Sequence, residues 1–451
     1  MLTPDQSSES DLKPGTWQSP RRMLATAMAD PLLRNGHALI FSSALTQLIG
    51  LIFWALATHY YSDAAVGRSN AALSAMAFLS GFSQLNLMST LVRFLPVAGR
   101  RSRRLVITVY ATTASVAGVA ATVFIMVVPQ VEPGLSFLRA NAWLAGWFVV
   151  SIMVAGIFTL QDSALTGVRA APAVPVENAA FAVLKLGLVV ALAGTAPTSG
   201  IFIAWTAAMA ASIGPTNYYL LRRALPRHLR AANPPETPSS FAELRSYMIP
   251  DFIASIFLMA STSLMPLVVL GRLGARANGY FALAWIIGYA LYLVSFNMGA
   301  SLVVETATDL ASIRRRAVRV IAHVERLLVP AVAVIVIGAP QILSIFGRSY
   351  SAGASTVLRL LALSALPAAV TNTAIFAARS QRRMSTVIAI QVAICAGVFG
   401  AGSILMGPLG VAGVGWAWLL AQSLVAVVLS ARPSLWLPAA TAVDLRRKGS
   451  A

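Results

Sequence analysis

The sequence predicts an all-α polytopic membrane protein of about 12 transmembrane helices, arranged as two six-helix lobes with both termini in the cytoplasm. Three observations predict it. The 451 residues are 57% hydrophobic and 11% charged, with a mean hydropathy of +0.75, whereas a soluble domain carries about 25% charged residues. Twelve apolar runs recur along the chain, near the length of about 20 residues that a hydrocarbon core of roughly 30 Å requires. Basic residues collect in alternate connections between those runs.

The elements follow in order. Residues 1–35 are polar and turn-rich (SSESDLKPGTWQSPRR) and are expected as a disordered cytoplasmic tail. The next run is too long and too poorly flanked for a cleaved signal peptide, so it is read as a retained helix. It spans 36–59 and is joined by the polar turn HYYSDAAVG to a second helix over 67–96, which ends on Arg93 and Pro96. Runs at 105–128 and 141–164 follow, with Pro129 and Pro133 framing the turn between them. Runs at 175–194 and 200–221, separated by TAPTSG, complete an N-terminal lobe over 36–221. A basic, then Pro- and Ser-rich segment over 222–246 forms the cytoplasmic linker. The C-terminal lobe, 247–431, holds runs at 247–271, 278–304, 320–345, 355–378, 384–406 and 409–431, and a tail over 432–451 closes the chain.

Charge sets the orientation. Arg100, Arg101, Arg103 and Arg104, then Arg169, Arg222, Arg223, Arg227, Arg230 and Arg245, then Arg314, Arg315, Arg316 and Arg319, then Arg379, Arg382 and Arg383 all fall on one side. The opposite side holds Arg68, Arg139, Arg272, Arg276, Arg348 and Arg359, an imbalance of about fourfold that places both termini inside. A linker at the midpoint is what a duplicated transporter shows. Shifting the chain by 212 positions lays Val66-Gly67-Arg68 over Asn278-Gly279-Tyr280, so the glycine entering each long helix coincides, and Arg93 falls opposite Glu305.

Several function classes are excluded. The net charge of +19 is dispersed in short loop clusters that suit anionic lipid, and no nucleic-acid-binding motif is present. His37, His59, His228 and His323 are scattered with no pair at metal-ligand spacing, and no metal or other cofactor is expected. There is no P-loop, no nucleophile elbow and no filter-like loop, which argues against an ATPase, an enzyme and a channel. Cys395 lies alone in an apolar run and is expected as a packing residue.

Ionisable groups at membrane depth are costly and are functional candidates by default. Lys185 is central in the fifth helix and is expected to face a cavity. Asp251 follows Pro250, where a proline kink is expected to line the path. Arg93 and Glu305 lie near the cytoplasmic ends of their helices, as anchors or as substrate contacts. Arg68, Arg272, Arg276 and Arg359 edge the outer side, as an anion gate or as partners of lipid phosphates. Asp162 and Glu177 flank the loop that carries Arg169 and are expected to pair with it. Ser42, Ser43, Thr46, Gln47, Ser80, Ser83, Gln84, Asn86, Ser89, Thr90, Ser255, Ser261, Thr262, Ser263, Ser295 and Asn297 concentrate polarity in helices one, two, seven and eight, either as a wetted cleft or as interhelical glue.

The turn AAVGRSNAA with the terminal VRFLP, and the stretch LGRLGARANGYFALAWIIGYALYLVSFNMGASLVVETA, resemble the first two and the seventh and eighth helices of Wzx-like polysaccharide flippases. These belong to the multidrug/oligosaccharidyl-lipid/polysaccharide exporter superfamily. The resemblance implies two lobes arranged as a V, alternating access, residence in the cytoplasmic (inner) membrane, and a polyprenyl-diphosphate-linked oligosaccharide as substrate. Membrane lipid and other polysaccharide-assembly proteins are the further partners it implies. In that setting Lys185 and Arg93 are the residues expected to hold the diphosphate, through charge-assisted bonds. The lipid II flippases of the superfamily have fourteen helices, two more than are read here. Its cation-coupled multidrug antiporters often carry a carboxylate in the first helix, which this chain lacks; they remain the alternative, followed by a major-facilitator transporter.

Overall fold

Every regular element among residues 31–131, 133–231, 241–306 and 312–438, those described by the computed structural model, is a helix. The rest of the expected tails (1–30 and 439–451) and the Pro-rich middle of the linker (232–240) lie outside the described residues. The N-terminal half comprises α1 (Pro31–Tyr60), α2 (Asp63–Ser83), α3 (Leu87–Phe94), α4 (Ser102–Val131), α5 (Ala142–Gly167), α6 (Ala173–Ala191), α7 (Gly200–Tyr219) and α8 (Leu225–Ala231). The C-terminal half comprises α9 (Phe241–Ser263), α10 (Met265–Thr306), α11 (Ile313–Ser344), α12 (Arg348–Ser380), α13 (Met384–Leu409) and α14 (Val411–Ala431).

Local chemistry sets the boundaries. The Ser62 hydroxyl accepts from the Ala65 amide at 3.3 Å and Asp63 sits in the first turn, so α2 starts with a cap and a favourable charge. Asn141 caps α5 in the same way, accepting from the Leu144 amide at 2.7 Å. Gly410, at φ +56°, turns α13 into α14.

Among the described residues nine spans are long and apolar enough to cross a membrane, or ten when the bent pair α2–α3 counts as one. The longest of them, Met248–Thr306, has 59 residues, about 88 Å if continuous and far more than one crossing needs. Gly274, at φ +83° and ψ 174°, breaks it, so the stretch crosses twice. With α7, whose 20 residues match the core thickness although polar groups dilute its apolarity, twelve crossings result. The second run, read from sequence as one helix over 67–96, is two helices bent by 52°. Leu85 and Asn86 adopt left-handed φ of +48° and +59° there, a conformation asparagine tolerates better than most residues.

Each half packs on itself. In the first, α4 lies on α5, α5 touches α3 and α7, and α6 lies on α7. In the second, α12 is the centre and packs against α10, α11 and α14. Its apolar window is 72% buried, against 12% for α1, which makes α12 a core helix and α1 a peripheral one. The halves meet through α1 and α2 on α10, with a smaller contact of α2 on α9.

That junction is two-fold in character. Gly67 of α2 lies against the Ala275 carbonyl and the Gly279 amide of α10, while Gly279 lies against the Asp63 carbonyl and the Gly67 amide. Asp63 and Ala275, like Gly67 and Gly279, are separated by the 212 positions of the sequence repeat, so the two contacts are mates of one another. The Asn278 amide donates to the Gly67 carbonyl at 2.7 Å and fastens the crossing. Nearer the cytoplasmic ends, Asn297 donates to the Ser43 hydroxyl at 2.8 Å and Asn86 to the Met248 carbonyl at 3.4 Å. His37 of α1 and His323 of α11 also meet, Nε2 to Nε2 at 3.0 Å. Their separation of 286 positions hid that pair from a reading by local spacing.

Candidate functional site

Helical spacing organises the interior of the N-terminal lobe. Glu177, Phe181, Lys185 and Val189 recur every four residues on α6 and are all buried, so one stripe of that helix points inward. Lys185 is 6% exposed. Its Nζ lies 4.0 Å from the Trp205 ring centroid, 4.8 Å from that of Phe181 and 5.4 Å from that of Phe53. Three helices, α1, α6 and α7, thus build an aromatic cage around one ammonium. The rings brace each other, with Phe53 and Trp205 edge to face at 5.0 Å. Among the described residues Lys185 makes no ion pair. Cation–π attraction of about 0.5–2 kcal/mol per contact offsets only part of the cost of removing an ammonium from water. The cage is therefore an electrostatically incomplete site that an anion would complete.

Two turns toward the cytoplasm on the same stripe, about 12 Å along the axis, Glu177 is 7% exposed. It accepts from Gln161 Nε2, and Asn217 Nδ2 donates to Gln161 Oε1 at 2.8 Å. Asp162 is bonded to Asn178. Neither carboxylate pairs with Arg169, contrary to expectation: Arg169 is exposed at the left-handed turn after α5, at φ +58°, whereas Glu177 is buried and Asp162 half-buried. Glu177 also borders a 430 Å³ cleft between α6 and α7.

The remaining sequence candidates lie at two other levels. On the outer side, Arg272 donates to the Ser403 carbonyl at 2.7 Å and Arg359 to the Val336 carbonyl at 2.9 Å, so each is tied to its own lobe. Arg276 lies close to Tyr280, whose hydroxyl donates to Asp63 at 3.4 Å, and Arg68 is half-buried near the start of α2. On the cytoplasmic side, Arg93 is exposed in the last turn of α3. Glu305 takes Arg316 at 3.6 Å, joining the ends of α10 and α11. Asp251 takes Arg379 at 3.3 Å, joining α9 to α12. The structure therefore distributes these eight residues over an outer rim, an inner rim and the Lys185 cage; it does not bring them into one pocket.

The polar residues of the junction divide similarly. Ser43 and Asn297 bond across it, while Ser80, Ser83, Ser255, Ser261 and Thr262 bond to carbonyls of their own helices. The Asp251–Arg379 pair has a measurable consequence. Both side chains are mostly buried, 20% and 17% exposed, so Asp251→Asn is expected to cost about 1–3 kcal/mol, below the 3–5 of a fully buried pair. The melting temperature of the purified protein should fall accordingly. The double variant with Arg379→Gln should lose less than the sum of the single losses.

No protein-family model and no curated protein sequence matches the chain. Solved structures do. An inward-facing multidrug resistance MATE family transporter of the MOP superfamily superposes with a TM-score of 0.66 at 13% identity, over 86% of this chain and 94% of that one. An outward-facing structure of a multidrug resistance MATE family transporter gives 0.62 at 14% identity, over 90% and 95%. A MOP superfamily transporter from Pyrococcus furiosus Vc1, described as having a binding pocket of reversed polarity that suggests a different function, gives 0.63 at 12% identity, over 90% and 95%. The protein is a multi-pass membrane protein with the two-lobe, twelve-helix fold of the MOP superfamily transporters.

Proposed function

We propose that this protein is a flippase for a polyprenyl-diphosphate-linked oligosaccharide, acting by alternating access in the cytoplasmic membrane during polysaccharide biosynthesis. The observation that carries the reading is the Lys185 cage: a buried ammonium with aromatic walls and no counter-ion among the described residues. A diphosphate leaving the headgroup region needs a fixed cation of this kind, whereas a cationic drug would be repelled by it. The prenyl chain stays in the bilayer while the head group passes between the lobes, and the neighbours' fold supplies a rocking mechanism for that passage. Polysaccharide-assembly enzymes are the partners such a role requires.

A second reading, cation-coupled multidrug antiport, is favoured by the names of two of the structural neighbours. The Asp162 and Glu177 carboxylates, which have no basic partner among the described residues, also favour it. Lipid analysis separates the two. Loss of the gene is expected to accumulate lipid-linked glycan on the inner leaflet while leaving tolerance to cationic dyes unchanged. Normal glycan-lipid levels together with dye hypersensitivity would replace the first reading by the second.

A further inference from the structure

The 430 Å³ cleft between α6 and α7 has a single charged residue in its lining, Glu177. Val176, Ala180 and Leu184 recur every four residues along α6, and Ala211 and Pro215 do so along α7. Two apolar rows therefore flank a furrow about 12 Å long that runs with the helices. Val176 is 71% exposed, so the furrow opens on the outside of the lobe, where the surroundings are lipid. The 19 residues of α6 match one hydrocarbon thickness. Glu177, in its second turn, thus lies about 6 Å inside the inner leaflet, at the cytoplasmic end of the furrow.

Glu177 is 7% exposed. Its Oε1 accepts from Gln161, while its Oε2 is buried with no hydrogen-bond partner. Asp162 lies close enough to add its negative charge, and its Oδ1 is also unpaired. No basic side chain among the described residues pairs with either acid. The other polar groups of the lining are Ser212, bonded to the Ala208 carbonyl at 2.9 Å, Thr216, bonded to Glu177, and Tyr219 at the cytoplasmic mouth. A carboxylate oxygen can only accept, so the unpaired one calls for a donor. Buried acids without a partner call for positive charge as well. Water brings donors without charge. A metal ion brings charge but leaves the apolar rows bare. A primary ammonium on a lipid brings donors, charge and a chain. Arg222 and Arg223, both exposed, follow one turn after Tyr219, at the height of the lipid phosphate.

We propose that this cleft binds an aminophospholipid of the inner leaflet, its ammonium on Glu177 and one acyl chain along the furrow. The assignment is independent of what the protein transports. The test is native mass spectrometry of the purified full-length protein in detergent with phosphatidylethanolamine, phosphatidylcholine and phosphatidylglycerol of identical chains. Phosphatidylethanolamine is expected to bind roughly tenfold more tightly than phosphatidylcholine, which has the charge but no N–H donor. Phosphatidylglycerol is expected to show no such preference. Glu177→Gln, which keeps the shape and an acceptor for Gln161, should abolish the preference. Ala180→Leu, which fills the furrow from its exposed wall, serves as the second variant if the first unfolds. Equal binding of the two zwitterionic lipids, or an unchanged preference in a folded variant, overturns the assignment. So does a rise in melting temperature in sodium over choline chloride that Glu177→Gln removes, in the absence of any lipid preference; that result gives the site to a metal ion. None of these outcomes bears on lipid-linked glycan, so the flippase reading stands or falls separately.

Discussion

Lys185→Met will suppress glycan export in a deletion strain by roughly 10- to 100-fold while leaving the protein at least as stable as before. The export loss follows from the role proposed for the ammonium. A charge-assisted bond to a phosphate oxygen is worth about 1.5–3 kcal/mol, and each 1.4 is a factor of ten. The stability follows from the cage. Lys185 lies among Phe53, Phe181 and Trp205 with no ion pair among the described residues, so the folded protein already bears the cost of burying it. Methionine fills the same space and makes favourable sulfur–aromatic contacts. Export is read by complementation, and stability by the melting temperature of purified protein. Lys185→Arg keeps the charge but not the compact head and should recover part of the export. Full export by the methionine variant would remove Lys185 from the transport path.

Gly67→Ala and Gly279→Ala will each open the outer end of the interlobe junction, Gly67→Ala the more strongly because its added Cβ meets backbone more closely. A Cβ on Gly279 would stand 2.7 Å from the Asp63 carbonyl oxygen, and one on Gly67 would press on the Ala275 carbonyl. Both obstacles are backbone and cannot rotate aside. Overpacking of this kind costs about 1–3 kcal/mol, paid only while the two helices touch, so the balance between states should move roughly 5- to 150-fold toward separation. Spin labels at Tyr60 and Arg272, both on the exposed outer surface, report the distance. A broadened or lengthened distribution is expected in both variants. Gly146→Ala, which meets nothing within 4 Å, should leave it unchanged. If only one of the two glycine variants responds, the reciprocal contact is not a functional hinge.

How much of this was legible in the sequence varied with the distance over which each signal acts. The helical class, the approximate spans and the midpoint break follow from composition and run length, which are local properties. The 212-residue shift aligned Gly67 with Gly279, and the structure puts those two residues in contact; sequence alone shows their equivalence and not their meeting. The depth of Lys185 could be read from its place in one apolar run. Its cage could not, because Phe53 and Trp205 come from other helices and each passes alone as an ordinary core aromatic. The four-residue spacing of Glu177, Phe181 and Lys185 did carry the information that all three share a face. The pairing of Asp162 and Glu177 with Arg169 was expected from proximity along the chain. Amide side chains from neighbouring helices took that place, as the helix directions turn both acids inward. The bend at Leu85 and Asn86 lies in the polar patch between Ser80 and Thr90, whose residues read in sequence as cleft lining or interhelical glue and not as a break.

The length of α11 bears on how the protein sits in its solvent. Its 32 residues extend about 48 Å, well beyond a hydrocarbon layer of roughly 30 Å. The surplus at its first turns consists of Arg314, Arg315, Arg316 and Arg319. Arg316 is held by Glu305 and Arg314 donates to the Pro438 carbonyl, so the lobe tilts as a unit, through several ångströms, with the exposed Arg315 still in reach of lipid phosphates. The C-terminal lobe is thereby tethered to the headgroup plane without being pinned at one depth, and bilayers of different thickness should accommodate it at small energetic cost.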